Sequence, residues 1–474
     1  MMDPRRNSEA ALTSMSGTRE MHLGIFRSQP CKVMLSTILT AWMTLAGLTL
    51  ASGFCPDFAF VGAARADDDD DDDDRRRFSR GRGIRLPGGI PIQLFGIGSS
   101  SRPKARRKSA GPRQGRRELV AVGLTASQIA TLEQRGFRVT ATRNSQTFGT
   151  SISRITPPRA LSSRRALQRI RATAPTAIAT RNDGFRRSAI GPFRPMGEAC
   201  GSDCESFVLT GWNAAYLQCE LPQVIGVIDT EVDAQHPSLS GAKVELATVR
   251  RKDRRPSDPA HGTGVVSLIV GQPGTPVVGL LPKARIVAVD AFHRSGSGDS
   301  TDVFDLVAAL DVMAERTVRI VNLSLAGPDN PVLASAISRF IERGGTLVAA
   351  AGPSSGRASG YPAKYAGVIA VAAIDNGLRP SRLSARGSHI AYAGPGVGLS
   401  VASPGGKARL ATGTSFAAPV VSAAFATAQI RTGADNARTF EVIRALAKDL
   451  GAPGHDPVYG WGLVQFPAPS DCRG

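Results

Sequence analysis

Three residues in this 474-residue chain have the types and local settings that nucleophilic chemistry requires. Asp229 follows the apolar run VIGVI, His261 opens HGTGVVSLIVG, and Ser415 lies in GTSFAAPVVSAAFA. A serine hydroxyl is a weak nucleophile and needs a base to take its proton. A histidine can do so near neutral pH, and a carboxylate can fix its tautomer and stabilise the imidazolium. A serine at a helix start also aims its backbone N–H at a developing oxyanion. Singly, each residue has a plainer reading: a turn aspartate, a capping or surface histidine, an ordinary Gly-Thr-Ser helix start. The order Asp, His, Ser, each in its own motif, favours acyl transfer.

The surrounding elements must bring these residues together. Runs at Val224–Ile228, Arg285–Val289, Ile320–Leu323, Thr346–Ala351 and Val368–Ala373 are almost continuously apolar, as in a parallel sheet covered on both faces. Helical patterns at Thr301–Arg316 and Pro331–Arg343 fit the crossovers. The expected class is α/β, a doubly wound, mostly parallel sheet with sites beyond the carboxyl ends of its strands.

The segments VIGVIDTEVDAQHPSL, HGTGVVSLIVG and GTSFAAPVVSAA resemble those of subtilisin-like serine proteases, the subtilase family. IVNLSLAGP, YPAKYAGVIAVAAID and the late YGWGLV match in order, so the resemblance covers about 224–464. It implies that Asp229 orients His261, that His261 is the general base and acid, and that Ser415 attacks a peptide carbonyl. It implies an extended peptide substrate held as an added strand near Ser295–Gly298 and Ser324–Gly327, which includes Leu325 and Ala326. Ala350, Ala351 and Gly352 would line the primary pocket, whose small residues suggest a medium or large apolar side chain. No cofactor is required for the chemistry.

Three positions depart from the family pattern. Pro353 stands where the family has the asparagine of its oxyanion loop, and proline offers neither a side-chain amide nor a backbone N–H. Ser354, a shifted amide or water would have to compensate. Glu231 replaces the glycine of Asp-Thr-Gly and is expected to face solvent. Gly264 replaces a second histidine found in some relatives. Calcium is frequent in the family, but no acidic loop matches a site. Asp299, Asp302 and Asp305 read instead as helix-start residues.

The formal net charge of +19 is unevenly placed. Residues 75–117 carry fourteen basic groups and no acid, whereas 198–474 carry 25 basic and 24 acidic groups. The basicity therefore lies outside the region of the chemistry, and no nucleic-acid partner is expected. An apolar stretch at 33–51, followed by Ala64-Arg65-Ala66, makes 1–66 a signal peptide or an anchor region. The chain is expected to be secreted or periplasmic, or membrane-anchored if that segment stays uncleaved. Eight aspartates at 67–74 open a disordered, Arg/Gly/Pro-rich linker running to 117. A polyanion-binding arm is its weaker reading. Cys200, Cys204, Cys219 and Cys472 lie beyond the export segment, and their even number favours two disulfides over a zinc site.

Residues 118–184 read as a small α+β domain of order β-α-β-β-α-β, ferredoxin-like. It resembles the family's inhibitor-type propeptides, which would make it an intramolecular chaperone and inhibitor. A connector with cysteines spans 185–220, the catalytic domain 221–466 and a tail 467–474. Two function classes follow: an exported serine endopeptidase made as a zymogen, or a degenerate subtilase fold that binds peptides or a partner protein without efficient hydrolysis.

Overall fold

A computed structural model describes residues 117–188, 194–195, 206–296, 298–354 and 360–469. The expected export segment and linker, residues 1–116, and Cys200, Cys204 and Cys472 lie outside the described residues. Cys219 is buried. Among the described residues no helix is long and apolar enough to cross a membrane.

The chain first builds a four-stranded antiparallel sheet from β1 (Leu119–Val122), β2 (Arg138–Ser145), β3 (Thr150–Thr156) and β4 (Ile178–Arg181). Its order is β2-β3-β1-β4. Two helices, α1 (Ala126–Gln134) and α2 (Ser163–Thr173), connect the strands. Thr125 and Gln128 exchange backbone and side-chain hydrogen bonds in a capping box that starts α1. Ser162 caps α2, whose Ala166 and Ile170 face the core. All four residues of β1 are buried because the sheet is covered on both faces. Leu119 and Ala121 pack under the helices with Leu132 and Ile155. Val120 and Val122 face the other way, onto the larger unit.

Next come two short strands, β5 (Gly184–Arg187) and β6 (Arg194–Pro195). The larger unit follows with β7 (Val224–Asp229), β8 (Lys243–Thr248), α3 (Pro259–Val270), β9 (Arg285–Asp290), β10 (His293–Ser295) and β11 (Gly298–Asp302). It continues with α4 (Val303–Glu315), β12 (Ile320–Leu323), β13 (Leu325–Ala326), α5 (Pro331–Glu342), β14 (Thr346–Ala350) and β15 (Ile369–Ile374). It closes with β16 (Ile390–Pro395), β17 (Leu399–Ser403), β18 (Lys407–Ala411), α6 (Thr414–Thr432) and α7 (Asn436–Leu446).

The main sheet has seven strands in the order β16-β15-β14-β12-β7-β9-β8, and every neighbouring pair is parallel. Successive side chains of a strand point to opposite faces. Ile225, Val227, Ile286 and Ala288 accordingly join the core under α3 and α6. Ile228, Val287, Val289 and Val321 join the core under α4 and α5. Two buried faces are why these strands read as continuous apolar runs. Chain order reverses around β7, so its carboxyl end lies at a switch point where doubly wound sheets form crevices.

Candidate active site

Asp229 is the last residue of β7 and is buried. His261 is the third residue of α3, whose start is set by Asp258 as N-cap and Pro259 in the first turn. The close approach of α3 to β7 depends on Gly262. A Cβ there would meet the Thr230 carbonyl oxygen at 2.3 Å, and the Gly262 N–H donates to Thr230 Oγ1 at 2.9 Å. Ser415 is the second residue of α6, directly after the turn through Gly413.

The structure brings these three residues into one hydrogen-bonded line. His261 Nδ1 lies 2.7 Å from Asp229 Oδ1, and His261 Nε2 lies 3.1 Å from Ser415 Oγ. A carboxylate only accepts, so Nδ1 carries the proton and Nε2 is free to accept from the serine hydroxyl. Asp229 Oδ1 also accepts the Thr230 N–H at 2.6 Å, while among the described residues Oδ2 has no hydrogen-bond partner. His261 and Ser415 are fully buried, and the imidazole stands 5.2 Å from the Phe416 ring. A buried base, oriented by one carboxylate and facing one hydroxyl, can remove that proton.

A second polar chain steadies the start of α6. The Ser324 hydroxyl donates to the Ser415 carbonyl at 2.8 Å and accepts from Asn322 Nδ2 at 2.9 Å. Ser422 Oγ donates to Asn322 Oδ1 at 3.3 Å. Beside it, the Gly352 N–H donates to Thr414 Oγ1 at 3.3 Å, which ties the segment after β14 to the start of α6. Ala350 and Ala351 are fully buried there.

The positions expected to depart from the family pattern have the following surroundings. Glu231 is exposed, with its N–H donating to Ser257 Oγ at 2.9 Å. Ser257 in turn donates to Asp290 Oδ1 at 3.1 Å. Burial pushes the Asp290 carboxyl up, and hydrogen bonds from the Phe292 N–H, Arg250 and Ser257 oppose that rise. Gly264 packs against Val401 and Phe416, leaving little room for a larger side chain. Pro353 forms an isolated bridge with Ser384. The Ser354 hydroxyl donates to the Arg382 carbonyl at 2.7 Å, so it is directed at that carbonyl.

The acidic triplet near α4 is occupied by arginines. Asp302 caps α4 by accepting the Asp305 N–H, and both carboxylates hold Arg154 at 2.9 Å. Arg154 is almost fully buried and lies 4.6 Å over the Phe304 ring. Arg143, on the neighbouring strand, also stacks on Phe304 and pairs with Asp311. Burial, reinforced by the Asp302 charge, pushes Asp305 up to about 8. Among the described residues no group of three or more His, Cys, Asp or Glu could hold a metal.

One arrangement escaped the sequence reading. β5 lies antiparallel between β11 and β13, in a sheet ordered β10-β11-β5-β13. Phe185 is opposite Thr301, and Arg186 is opposite both Ser300 and Ala326. Ser188 continues the ladder, its N–H donating to the Ser324 carbonyl at 3.2 Å. The chain's own segment therefore covers Ser324, Leu325 and Ala326, and Gly327 pairs with Tyr361. The only available sequence signal was the alternation of Phe185 with its polar neighbours, which is too short to stand out.

Comparison with known proteins places this geometry. The Subtilase family model matches residues 222–462, just over half of the chain. Thermitase from Thermoactinomyces vulgaris is 33% identical over 202 residues, which cover 42% of this chain and 71% of thermitase. Minor extracellular protease Epr from Bacillus subtilis (strain 168) is 33% identical over 251 residues, covering 52% of this chain. The thermophilic serine proteinase of Bacillus sp. (strain AK1) is 33% identical over 243 residues, covering 50% of it. The chain spans only 38% of Epr and 59% of the Bacillus sp. proteinase. Among solved structures, fervidolysin from Fervidobacterium pennivorans, described as a keratinolytic enzyme related to subtilisin, shares the fold. Its TM-score is 0.63 at 21% identity, covering 75% of this chain and 60% of fervidolysin. With a serine-protease-type core at the switch point of a subtilisin-like sheet, this chain belongs to the subtilase family.

Proposed function

We propose that the chain is an exported serine endopeptidase made as a zymogen. The observation that carries this reading is the line from Asp229 through His261 to Ser415, at 2.7 and 3.1 Å. Ser415 Oγ attacks a peptide carbonyl as its proton passes to His261 Nε2, and Asp229 stabilises the imidazolium. The Ser415 N–H lies in the first turn of α6, where helix amides have no intrahelical acceptor. It serves as one oxyanion donor. His261 returns the proton to the leaving amine, and water then releases the acyl group by the reverse sequence.

Residues 118–184 act in this reading as a propeptide that docks on α4 and α5, with β5 lying in the substrate cleft. Cleavage falls within 184–200. The segment 1–66 directs export, and Cys200, Cys204, Cys219 and Cys472 form two disulfides. Support comes from the sheet order of the small unit, its packing on the larger one, and the antiparallel seat of β5. A Ser415→Ala variant should keep its pro-region in a protease-free system, whereas the parent loses it. A mature N-terminus upstream of Arg117, or normal maturation of the variant, refutes the reading.

Pro353 favours a second reading, a pseudoprotease that binds peptides. Losing one side-chain oxyanion donor costs on the order of 10²–10³ in kcat, a magnitude known from subtilisin, itself a relative. Labelling of Ser415 by an organophosphonate separates the two, because the binder leaves Ser415 unlabelled.

A further inference from the structure

We propose that the cleft selects arginine at the second residue before the scissile bond, and that Asp299 is the residue that selects it. This rests on the protease reading above and specifies the substrate of the same site.

The register of β5 identifies which residue meets the nucleophile. Ser188 donates its N–H to the Ser324 carbonyl, and the Ser324 hydroxyl donates to the Ser415 carbonyl. Ser188 is thus the residue brought beside Ser415, and its carbonyl is the one offered for attack. Arg187 sits one residue upstream. Its Nη2 lies 3.4 Å from Asp299 Oδ2, and the Asp299 side chain is 0% exposed.

The other oxygen of Asp299 is already engaged. Oδ1 accepts the Asp258 N–H at 3.2 Å and lies 3.6 Å from Arg294 Nε, on a side chain that is 40% exposed. Among the described residues Oδ2 accepts no hydrogen bond, and Arg187 is the cation that faces it. A buried carboxylate oxygen is costly unless a positive charge meets it. A peptide with a neutral residue at this position strands Oδ2, and one with an acidic residue meets direct repulsion. Discrimination of this kind comes from the group left unpaired by the wrong ligand.

The neighbours of Arg187 fit a shaped cleft. Phe185 is fully buried, and a Cβ on Gly327 would meet its ring carbons at 2.2 to 2.6 Å. Arg186, between them, is exposed and unselected. The recognised pattern is therefore Phe, any residue, Arg, then the residue whose carbonyl is attacked.

The test uses the full chain with Ser415→Ala, so that docking is read without hydrolysis. Hydrogen exchange of the amides of 184–188 should quicken about tenfold with Arg187→Ala and with Asp299→Asn. The double variant should be no faster than either, since both remove one interaction, and Arg187→Lys should fall between. Unchanged exchange in the single variants, or fully additive effects, overturns the proposal. Arg187 is 24% exposed, so its replacement keeps the test valid even where Asp299→Asn fails to fold. In the processed enzyme with Ser415 intact, kcat/KM for a Phe-Arg-Arg-Ser peptide should exceed that for Phe-Arg-Ala-Ser by about 10–100-fold. An Asp299→Asn enzyme should lose most of that preference, and an equal preference in both enzymes refutes the role of Asp299. Absence of all hydrolysis refutes the protease reading alone, because the exchange experiment still measures the pocket.

Discussion

Arg154→Met tests whether the small unit is held to the larger one chiefly through a buried guanidinium. Arg154 Nη2 donates to Asp302 Oδ1 at 2.9 Å, Asp302 Oδ2 at 3.0 Å and Asp305 Oδ1 at 2.9 Å, with Phe304 beneath it. Methionine keeps the apolar stem and removes the charge. Removing one member of a buried ion pair costs about 3–5 kcal/mol, mostly because the remaining charge is stranded. Here the lower end applies. Asp302 is 13% exposed and can rehydrate, and Asp305 can take up a proton near neutral pH. A loss of about 3 kcal/mol is roughly a hundredfold in the docking equilibrium. The assay is hydrogen exchange of β2 and β3 amides in the Ser415→Ala chain, compared with and without Arg154→Met. Exchange should quicken by about 10², and adding Asp302→Asn, which keeps a capping side chain on α4, should recover part of the loss by removing the stranded charge. A change of less than about threefold refutes the argument.

Asp305 also predicts a pH dependence. Its carboxyl is raised in the folded state from an ordinary 3.8 to about 8, so the folded chain binds the extra proton between those values. Stability must then fall as pH rises from about 4 to 8; thermal unfolding should show it, and Asp305→Asn should flatten the slope. Identical slopes in parent and variant would rule this out. Ser257→Ala leaves the Glu231 N–H without its acceptor and should cost about 1–3 kcal/mol in denaturant unfolding, with no loss contradicting the bridge. Pro353→Asn should raise kcat by about 10–100-fold with little change in KM if residue 353 faces the oxyanion; an unchanged kcat shows that it does not. Gly327→Ala should displace Phe185 and loosen protection of 184–188, and retained protection would mean that the ring yields cheaply.

Much of this molecule is legible in its sequence. The five buried strands were recognisable because both faces of the sheet are covered, and the observed strands match them to within a residue or two. Asp229, His261 and Ser415 stood out because each sits at the end or start of a strongly apolar element. The β-α-β-β-α order of the small unit was legible because its helices carry local caps at Thr125 and Ser162. What escaped was non-local. β8, with its largely exposed surface, carries no apolar run. β5 has four residues and gains its partners from strands more than a hundred residues away. The Arg154–Phe304–Asp305 stack joins residues about 150 positions apart, and single-sequence patterns hold no record of such pairings.

β5 fills a slot between two strands that, among the described residues, have no other neighbour on those sides. Withdraw it, and β11 and β13 become facing sheet edges, each with a row of unpaired N–H and C=O groups. A helix cannot supply the missing ladder, because its backbone groups are already paired with one another. Nor can a folded domain, unless a loop of it can straighten over about four residues. The vacated slot thus acts as a filter on backbone shape before any side chain is read. On the protease reading proposed above, unfolded chains and flexible linkers would pass it, and well-packed surfaces would not.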